Sequence, residues 1–354
     1  MLRFTSPQRQ RPGKEVRCPS ADRRSRLNSW GGMRGVQQPL LTGFGAAASA
    51  TEVARNLDLT GRVALVTGGS SGLGLETARA LRMSGASVHV TALDPVAART
   101  ALNGIGGIEV WPLDLADHAS VKAFAKAFLE HQGRLDILVL NAGIMAQPLF
   151  RDKRGREGHF SINYLGHYEL TVRLWPALLA AGTSRVVVLS SRGHQMSDVD
   201  LEDIDFARRP YDKWMAYGQS KTATALFSVS LDRRGRGHGV RAFSVHPGMI
   251  VTPGIRHLSR SEFDAFGALE ADGTPVIDPT MDKKTPEQGA ATSVWCATSP
   301  ALSSSGGVYC ENCDIASVQT DRPFGVRPYA IDPERAEILW RMSALLTGLD
   351  IVIT

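Results

Sequence analysis

Two side chains in one helical stretch could transfer a proton. Tyr217 and Lys221 stand four residues apart in the run AYGQSKTATALF, and residues at this spacing share one face of a helix. A phenol ionises near pH ~10, so it exchanges protons poorly at neutral pH. A lysine cation ~4 Å away, at an effective dielectric constant of ~20, would favour the phenolate by about 4 kcal/mol, or roughly three pKa units. This spacing therefore predicts a tyrosine that is active near neutral pH.

A third side chain gives the pair a partner. A Tyr-x-x-x-Lys spacing alone usually marks a solvated helix face. Ser191, however, ends a predicted strand, and ligands of open α/β sheets bind at the carboxyl ends of the strands. Its hydroxyl group could hold a substrate oxygen while Tyr217 gives that oxygen a proton.

A glycine-rich turn points to a phosphate group. The run TGGSSGLG at 67–74 follows the first predicted strand and precedes a helical pattern. Glycine permits a tight turn and a close backbone approach, and a helix N-terminus offers free N–H groups to an anion. The spacing is GxxxGxG rather than the usual GxGxxG, and a glycine-rich turn is often only a turn. Its position after the first strand nevertheless predicts a dinucleotide pyrophosphate site.

Asp94, at the end of the second predicted strand, bears on the choice of cofactor. A dinucleotide site carries an acid for the ribose or a base for a 2′-phosphate about 20 residues beyond the glycine turn. Neither this position nor the glycine turn holds a basic residue, which favours NAD over NADP. Asp94 also suits an N-cap before Pro95, and both interpretations stay open.

Alternating short apolar runs and helical patterns must position these residues. The predicted strands lie near 62–66, 87–90, 108–113, 137–140, 185–189 and 240–245. The predicted helices lie near 73–84, 95–103, 118–131, 159–181, 213–233 and 286–298. This alternation predicts an α/β fold, a Rossmann-like doubly wound parallel sheet with helices on both faces, in a single domain.

The domain is expected to cover 58–319. A long insertion at 253–285, with apolar residues among charges, is predicted to be a lid, and the long connection at 192–215 should line the same pocket. A leader at 33–57 precedes the domain. A C-terminal extension at 320–354 should hold one helix, which begins after Asp332 and stops at Gly348.

The positive charge belongs to one short segment. The chain carries 40 Lys and Arg against 35 Asp and Glu, but residues 1–32 hold eight basic and two acidic residues, so the remainder is nearly neutral. We expect 1–32 to be a disordered basic tail, which a translation start at Met33 would remove. The sequence therefore predicts no nucleic-acid partner; a nucleic-acid binder is an alternative that only the tail suggests.

Four cysteines in 354 residues argue against a disulfide framework. Cys310 and Cys313 lack two further ligands at similar spacing, so they are interpreted as loop thiols, and no metal site is predicted. No stretch reaches the ~18 apolar residues of a membrane span. We expect a soluble, cytoplasmic protein.

The ordered set of motifs resembles the short-chain dehydrogenase/reductase family in its single-domain branch. The chain is most similar to retinol-dehydrogenase-like and WW-domain-oxidoreductase-like members and to bacterial oxidoreductases of that group. The matching motifs are 67–74, Asp114-Leu115, Asn141-Ala142-Gly143, Asn163 in SINYLGH, Ser191 in LSS, Tyr217 and Lys221 in YGQSK, and Pro247-Gly248 with Thr252.

This resemblance implies a role for each matching residue. Tyr217 would be the general acid/base, Lys221 would lower its pKa and hold the nicotinamide ribose, Ser191 would orient the substrate carbonyl, and Asn163 would anchor a relay water. Among cofactor contacts, Gly68, Gly72 and Gly74 would take the pyrophosphate, Asp114 the adenine, Asn141 the adenosine-side ribose and Thr252 the carboxamide. The further expected cofactor contacts are Ser70, Ser71, Leu73, Asp94, Leu115, Ala142, Gly143, Pro247 and Gly248.

The implied function is NAD(P)-dependent interconversion of an alcohol and a ketone or aldehyde. Similar proteins often carry Arg where Leu93 stands, which agrees with the preference for NAD. The apolar lid suggests a small lipophilic substrate, and relatives often form homo-oligomers through the helices near 159–181 and 213–233. The alternative is a non-catalytic dinucleotide sensor or scaffold, which would need the glycine cradle alone.

Overall fold

An eight-stranded sheet in the order β3-β2-β1-β4-β5-β6-β7-β8 forms the centre of the protein. In this computed structural model, residues 37–255 and 257–351 are described. The strands are β1 (Val63–Thr67), β2 (Ser87–Ala92), β3 (Ile108–Pro112), β4 (Ile137–Leu140), β5 (Ser184–Leu189), β6 (Val240–His246), β7 (Val308–Glu311) and β8 (Asp314–Ile315). All neighbours pair in parallel except β8, which is antiparallel to β7.

Helices cover the sheet. They are α1 (Ala50–Ala54), α2 (Gly72–Met83), α3 (Pro95–Ala101), α4 (His118–His131), α5 (Gly166–Ala180), α6 (Lys213–Gly235), α7 (Arg260–Ala265), α8 (Pro286–Thr298) and α9 (Pro333–Thr347). α8 packs against α1 and α2, α4 packs against α5, and α9 packs against α6. All residues of β1 and β4 are buried, as expected for strands covered on both faces. The predicted doubly wound α/β fold is confirmed.

The strand order creates a crevice in the sheet. After β3, at one edge, the chain returns to place β4 on the other side of β1. The segments that follow β1 and β4 therefore leave the sheet in opposite directions, and ligands bind at such a switch point. The glycine turn follows β1 and Asn141 follows β4.

Two further strands, β7 and β8, correct the prediction of loop thiols. Cys310 lies within β7 and is buried, and Cys313 is buried in the turn before β8. Asn312 and Cys313 both have positive φ (53° and 59°), so the turn is tight. The runs are too short, and too close to Gly306 and Gly307, to be recognised as strands from the sequence.

The segments outside the predicted domain pack against it. The side chain of Gln37, in the predicted leader, donates to the backbone oxygens of Tyr309 (2.8 Å) and Ala316 (2.6 Å). α9 lies on α6, and Ser343 in α9 is 2.6 Å from the Tyr164 hydroxyl. α9 thus covers part of the helices through which pairing was expected.

The predicted tail at 1–32 and the first residues of the leader lie outside the described residues. Within 37–255 and 257–351, no helix combines the length and the apolar character required to cross a membrane.

Candidate active site

The glycine turn folds into a cradle at the start of α2. Gly68 and Gly72 adopt positive φ (63° and 52°), which other residues adopt at a cost. A Cβ atom at Gly74 would collide with the carbonyl oxygen of Gly68. Ser71, the residue before α2, makes no side-chain capping bond. The helix N-terminus therefore faces a narrow space bounded by backbone, which suits an anion.

Hydrogen bonds lock this cradle to β4. The Thr67 hydroxyl accepts the backbone N–H groups of Asn141 (2.9 Å) and Ala142 (3.0 Å). His167 Nδ1 lies 3.0 Å from the Asn163 carbonyl, which can only accept, so Nε2 accepts from the Thr67 hydroxyl at 2.9 Å. Burial lowers the pKa of His167 to about 4, which keeps the ring in the neutral form that these bonds require. Sequence reasoning missed this role of His167.

The structure brings the reactive trio together. Ser191 follows β5, whereas Tyr217 and Lys221 lie in α6. Tyr217 is hydrogen-bonded to Ser191. Lys221 Nζ donates to the Leu189 carbonyl oxygen at 2.9 Å and lies 5.8 Å from the centre of the Tyr217 ring. A phenol, a hydroxyl group and an ammonium group therefore meet at the carboxyl end of the sheet.

The pKa of Tyr217 differs from the expectation. Burial raises it to about 12, against a smaller lowering by the Ser191 hydrogen bond. Burial also lowers the pKa of Lys221 to about 8. The lysine cation was expected to dominate the pKa of Tyr217, but removal of the phenol from water dominates it instead. Tyr217 is therefore protonated at neutral pH and suited to donate.

Asn163 does not lie on the cleft wall. It belongs to a π-helical segment (Phe160–Leu165), and both amide hydrogens of its side chain are used. Its Oδ1 accepts the Ile144 N–H (2.8 Å), and its Nδ2 donates to the Ile144 carbonyl (2.9 Å) and to Ser220 Oγ (2.9 Å). Ser220 in turn donates to the Tyr217 carbonyl (2.7 Å). The side chain thus positions the Tyr217 turn of α6, and the expected water-anchoring role of Asn163 stays a prediction.

A cleft of about 990 Å³ connects the glycine cradle to the reactive trio. Apart from Asn163, every residue proposed from the sequence for catalysis or cofactor binding lines it. These are Gly68, Ser70, Ser71, Gly72, Leu73, Gly74, Asp94, Asp114, Leu115, Asn141, Ala142, Gly143, Ser191, Tyr217, Lys221, Pro247, Gly248 and Thr252. Asp94 Oδ1 also accepts the N–H groups of Val96 (2.9 Å) and Ala97 (3.0 Å), so its capping role holds as well.

The far end of the cleft is mainly apolar. The insertion at 253–285, described apart from residue 256, contributes Ile255, Leu258, Phe263, Phe266 and Ala268. The connection at 192–215 contributes Met196 and Trp214, and the rings of Trp214 and Phe266 meet edge to face at 5.2 Å. Both segments therefore line the pocket.

A buried histidine joins the insertion to the serine segment. His246 Nδ1 accepts the backbone N–H of Arg192 at 3.0 Å, so its Nε2 donates to Asp282 Oδ2 at 2.8 Å. The Arg192 guanidinium also pairs with Asp282. These contacts fix the residue next to Ser191. The only sequence signal was the position of His246 directly before Pro247.

A second buried cluster lies behind Tyr217. The His159 and Tyr217 rings are 6.2 Å apart. His159 Nε2 accepts the Gln147 N–H (3.1 Å), so Nδ1 donates to the Glu157 carboxylate (2.8 Å). Tyr211 donates to the same carboxylate at 3.2 Å. Nothing in the spacing of these residues distinguished them from surface polar groups.

Comparison with known proteins places the chain in a family. The family model for the short chain dehydrogenase matches residues 62–262. The chain belongs to the short-chain dehydrogenase family. The glycine cradle, Ser191, Tyr217 and Lys221 all fall within the matched region.

Relatives cover most of the chain. A Streptomyces antibioticus protein named as a probable oxidoreductase is 46% identical over 80% of this chain and 97% of its own length. Human retinol dehydrogenase 12 is 34% identical over 83% of this chain and 89% of its own length. These names fit the family and its oxidoreductase activity.

Two solved structures share the fold. One, from Mycobacterium paratuberculosis, has a TM-score of 0.65 and 30% identity, covering 85% of this chain and 98% of that one. The other is Pseudomonas aeruginosa RhlG in complex with NADP, with a TM-score of 0.56 and 26% identity over 72% of this chain and 95% of that one.

Proposed function

We propose that this member of the short-chain dehydrogenase family interconverts an alcohol and a ketone or aldehyde, with Tyr217 as the general acid/base. One observation carries the proposal: the hydrogen-bonded pair Ser191 and Tyr217, with Lys221, lines the same cleft as the glycine cradle. A protein that only sensed a dinucleotide would need the cradle but not the trio.

The residues present fit a dinucleotide. Gly74 packs so closely against the Gly68 carbonyl that a Cβ atom would not fit there, and this turn at the N-terminus of α2 lines the cleft. The pyrophosphate would lie there, with Asp114 and Leu115 on the adenine side and Pro247, Gly248 and Thr252 on the nicotinamide side. When bound, the nicotinamide cofactor supplies or accepts the hydride.

The trio would handle the proton. Ser191 Oγ accepts the Gly193 N–H at 3.0 Å, which fixes the hydroxyl so that its own proton can point to a substrate oxygen. In reduction, Tyr217 gives its proton to that oxygen; in oxidation, the phenolate takes the proton from the alcohol. The Lys221 ammonium group stabilises the phenolate while it exists.

We infer a preference for NAD over NADP. Leu93 and Asp94 occupy the end of β2 beside the cradle, and a carboxylate there repels a 2′-phosphate. The cations that line the described cleft are Arg192, Lys221 and Arg327, which belong to the neighbourhood of Ser191. The NADP of the RhlG complex belongs to that protein.

We further propose a lipophilic substrate and a cytoplasmic location. Ile255, Leu258, Phe263 and Phe266 surround the substrate end of the cleft, and burial of apolar surface favours a substrate of the same character. The cysteines among the described residues are free thiols, as is usual in a reducing compartment.

Cofactor titration followed by an activity panel tests the proposal. Quenching of protein fluorescence by NADH and by NADPH should show tighter binding of NADH. The tighter cofactor is then mixed with aldehydes, ketones and alcohols of increasing chain length, and absorbance at the nicotinamide band is followed. Turnover that rises with chain length supports the proposal. Tight binding of the cofactor without turnover of any compound would favour the alternative that the protein is a dinucleotide sensor.

A further inference from the structure

A second group of ligating side chains lies outside the cleft. His89 in β2 and Glu109 in β3 are register partners, and His131 is the last residue of α4. One ligand atom from each residue lies within 4.8 Å of those from the other two. Glu109 Oε2 is 3.4 Å from His89 Nδ1 and 3.1 Å from His131 Nε2. Two imidazoles and a carboxylate from three elements thus share one point.

Two acceptor atoms face each other in this group. Trp111 Nε1 donates its proton to His89 Nδ1 at 3.2 Å, so that nitrogen carries a lone pair. The Glu109 oxygen at 3.4 Å is also an acceptor. His89 is fully buried, and burial lowers its pKa and so favours the neutral ring, against a smaller raising by Glu109. A lone pair beside a carboxylate oxygen is unfavourable unless a cation lies between them.

The tautomer of His89 also favours a bound cation. Because Nδ1 of His89 is an acceptor, its Nε2 carries the proton, and this buried atom has no hydrogen-bond partner among the described residues. The ring is therefore held with Nδ1 as its acceptor, bonded to Trp111 and 3.4 Å from Glu109 Oε2. Glu109 and His131 are about half exposed (53% and 46%), so an ion and a water ligand could reach the group from solvent.

We propose that His89, Glu109 and His131 form a zinc site. Zinc binds imidazole nitrogen and carboxylate oxygen at ~2.0–2.2 Å in a tetrahedron, which places neighbouring ligand atoms about 3.3 Å apart. The two contacts of 3.1 and 3.4 Å bracket this value. Two nitrogen donors favour zinc over magnesium or calcium, which prefer oxygen ligands. Trp111 would release His89 Nδ1 when the ion binds.

The site would stabilise the fold rather than take part in turnover. β3 is at the edge of the sheet, and the ion would tie it to β2 and to the end of α4. None of the three ligands lines the cleft of the described chain. Ligating histidines usually have a partner for the second ring nitrogen, and His89 lacks one, so we expect micromolar rather than nanomolar affinity.

Titration of the full chain with zinc tests the site. Any affinity tag is removed, and metals are stripped with a chelator. The binding of ZnCl₂ is then followed by calorimetry and by tryptophan fluorescence. The binding of CoCl₂ is followed by visible absorption, which is strong for tetrahedral coordination. The variants are Glu109→Gln and His131→Ala. His118→Ala is the matched control, because His118 begins the same helix and is similarly exposed (41%).

We expect one zinc ion per chain and a rise in Tm of ~3 °C or more in saturating zinc. Each ligand variant should weaken binding by about 100-fold or more, since loss of an outer partner alone costs 10–100-fold, while His118→Ala binds normally. Trp111→Phe should keep the binding and lose most of the fluorescence response. Absence of zinc binding, or binding that survives both ligand variants, would overturn the proposal whatever the enzyme assays show.

Discussion

The two ends of the cleft are built from different parts of the protein. At the cofactor end, backbone atoms of Gly68 and Gly74 and the strand-end residues Thr67 and Asn141 define the space. At the substrate end, side chains such as Phe266 from long insertions define it. Phosphate recognition by backbone can be encoded in a short motif, whereas an apolar pocket depends on side chains that folding brings from distant segments.

Tyr217 stands where the two ends meet. Asn163 and Ser220 fix its backbone from the β4 side, and Gly193 packs against its ring closely enough to exclude a Cβ atom. The effects of changes at either end of the cleft should therefore be separable from the effects of changes at Tyr217.

Lowering the pH should destabilise both ends of the cleft at once, and this is the largest effect that we expect. His167 supports the cofactor end, and His194 supports the other, with Nδ1 donating to the Ser191 carbonyl at 2.7 Å. Burial lowers the pKa of each from 6.5 to about 4. The unfolded chain binds more protons between these values, so the free energy of unfolding should fall as the pH drops from 6.5 to 4, by ~3 kcal/mol for each residue.

Urea unfolding at a series of pH values measures this slope. His167→Gln should reduce the slope by about half, since His194 still contributes, and His238→Gln, which changes an exposed histidine, should leave it as in the wild type. A free energy of unfolding that is constant between pH 6.5 and 4 would contradict the assigned neutral rings.

Gly74→Ala should damage the cofactor end alone. The new methyl group would meet the Gly68 carbonyl oxygen and the Asn141 side chain, and the cradle would have to open. Overpacking of this kind costs about 1–3 kcal/mol, so NADH affinity should fall about 10- to 100-fold. Gly133→Ala is the control, because its Cβ would meet nothing within 4 Å. Unchanged NADH affinity in Gly74→Ala would mean that the cofactor does not use this turn.

Phe266→Ala should damage the substrate end alone. It removes an aromatic ring that packs against Trp214 at 5.2 Å. The KM for a lipophilic substrate should rise ~10-fold, as expected for partial loss of an apolar contact, and NADH affinity should stay unchanged. Ser261→Ala, at an exposed position of α7, provides the control. A parallel loss of NADH affinity would show that the two ends are not separable.

Leu93→Arg should shift the cofactor preference toward NADPH, and this is the smallest of the expected effects. Leu93 is 78% exposed and lines the cleft, so an arginine there can reach a 2′-phosphate. A solvent-exposed charge contact of about 1 kcal/mol would raise NADPH affinity ~5-fold. Val96→Arg adds the same charge at an equally exposed position off the cleft wall; if it had the same effect, net charge and not position would be responsible.

The fold and the cofactor end could be predicted because they depend on local patterns. Continuous apolar runs marked the buried strands, and α8 coincides with the helix predicted near 286–298, where Thr285 forms a capping box. The terminal helix begins after Asp332 and ends at Gly348, which has positive φ, as its cap residues indicated.

The rest required contacts that the sequence does not display. In the connection at 192–215, Asp203 is buried and accepts N–H groups of its own loop, and Asp205 pairs with Arg156. The pairing of His246 with Asp282 joins two distant segments. The pairing of His159 with Glu157 is buried by tertiary packing. The pKa of Tyr217 depended on burial, which a four-residue spacing does not reveal.

Tyr217→Phe tests the central claim most directly. NADH affinity and the single-turnover rate of a responsive substrate are measured on the same preparation. Because only the proton donor is removed, we predict unchanged NADH affinity and a rate lowered ~100-fold or more. A variant that turns over at nearly the wild-type rate would contradict the role of Tyr217 and the mechanism built on it.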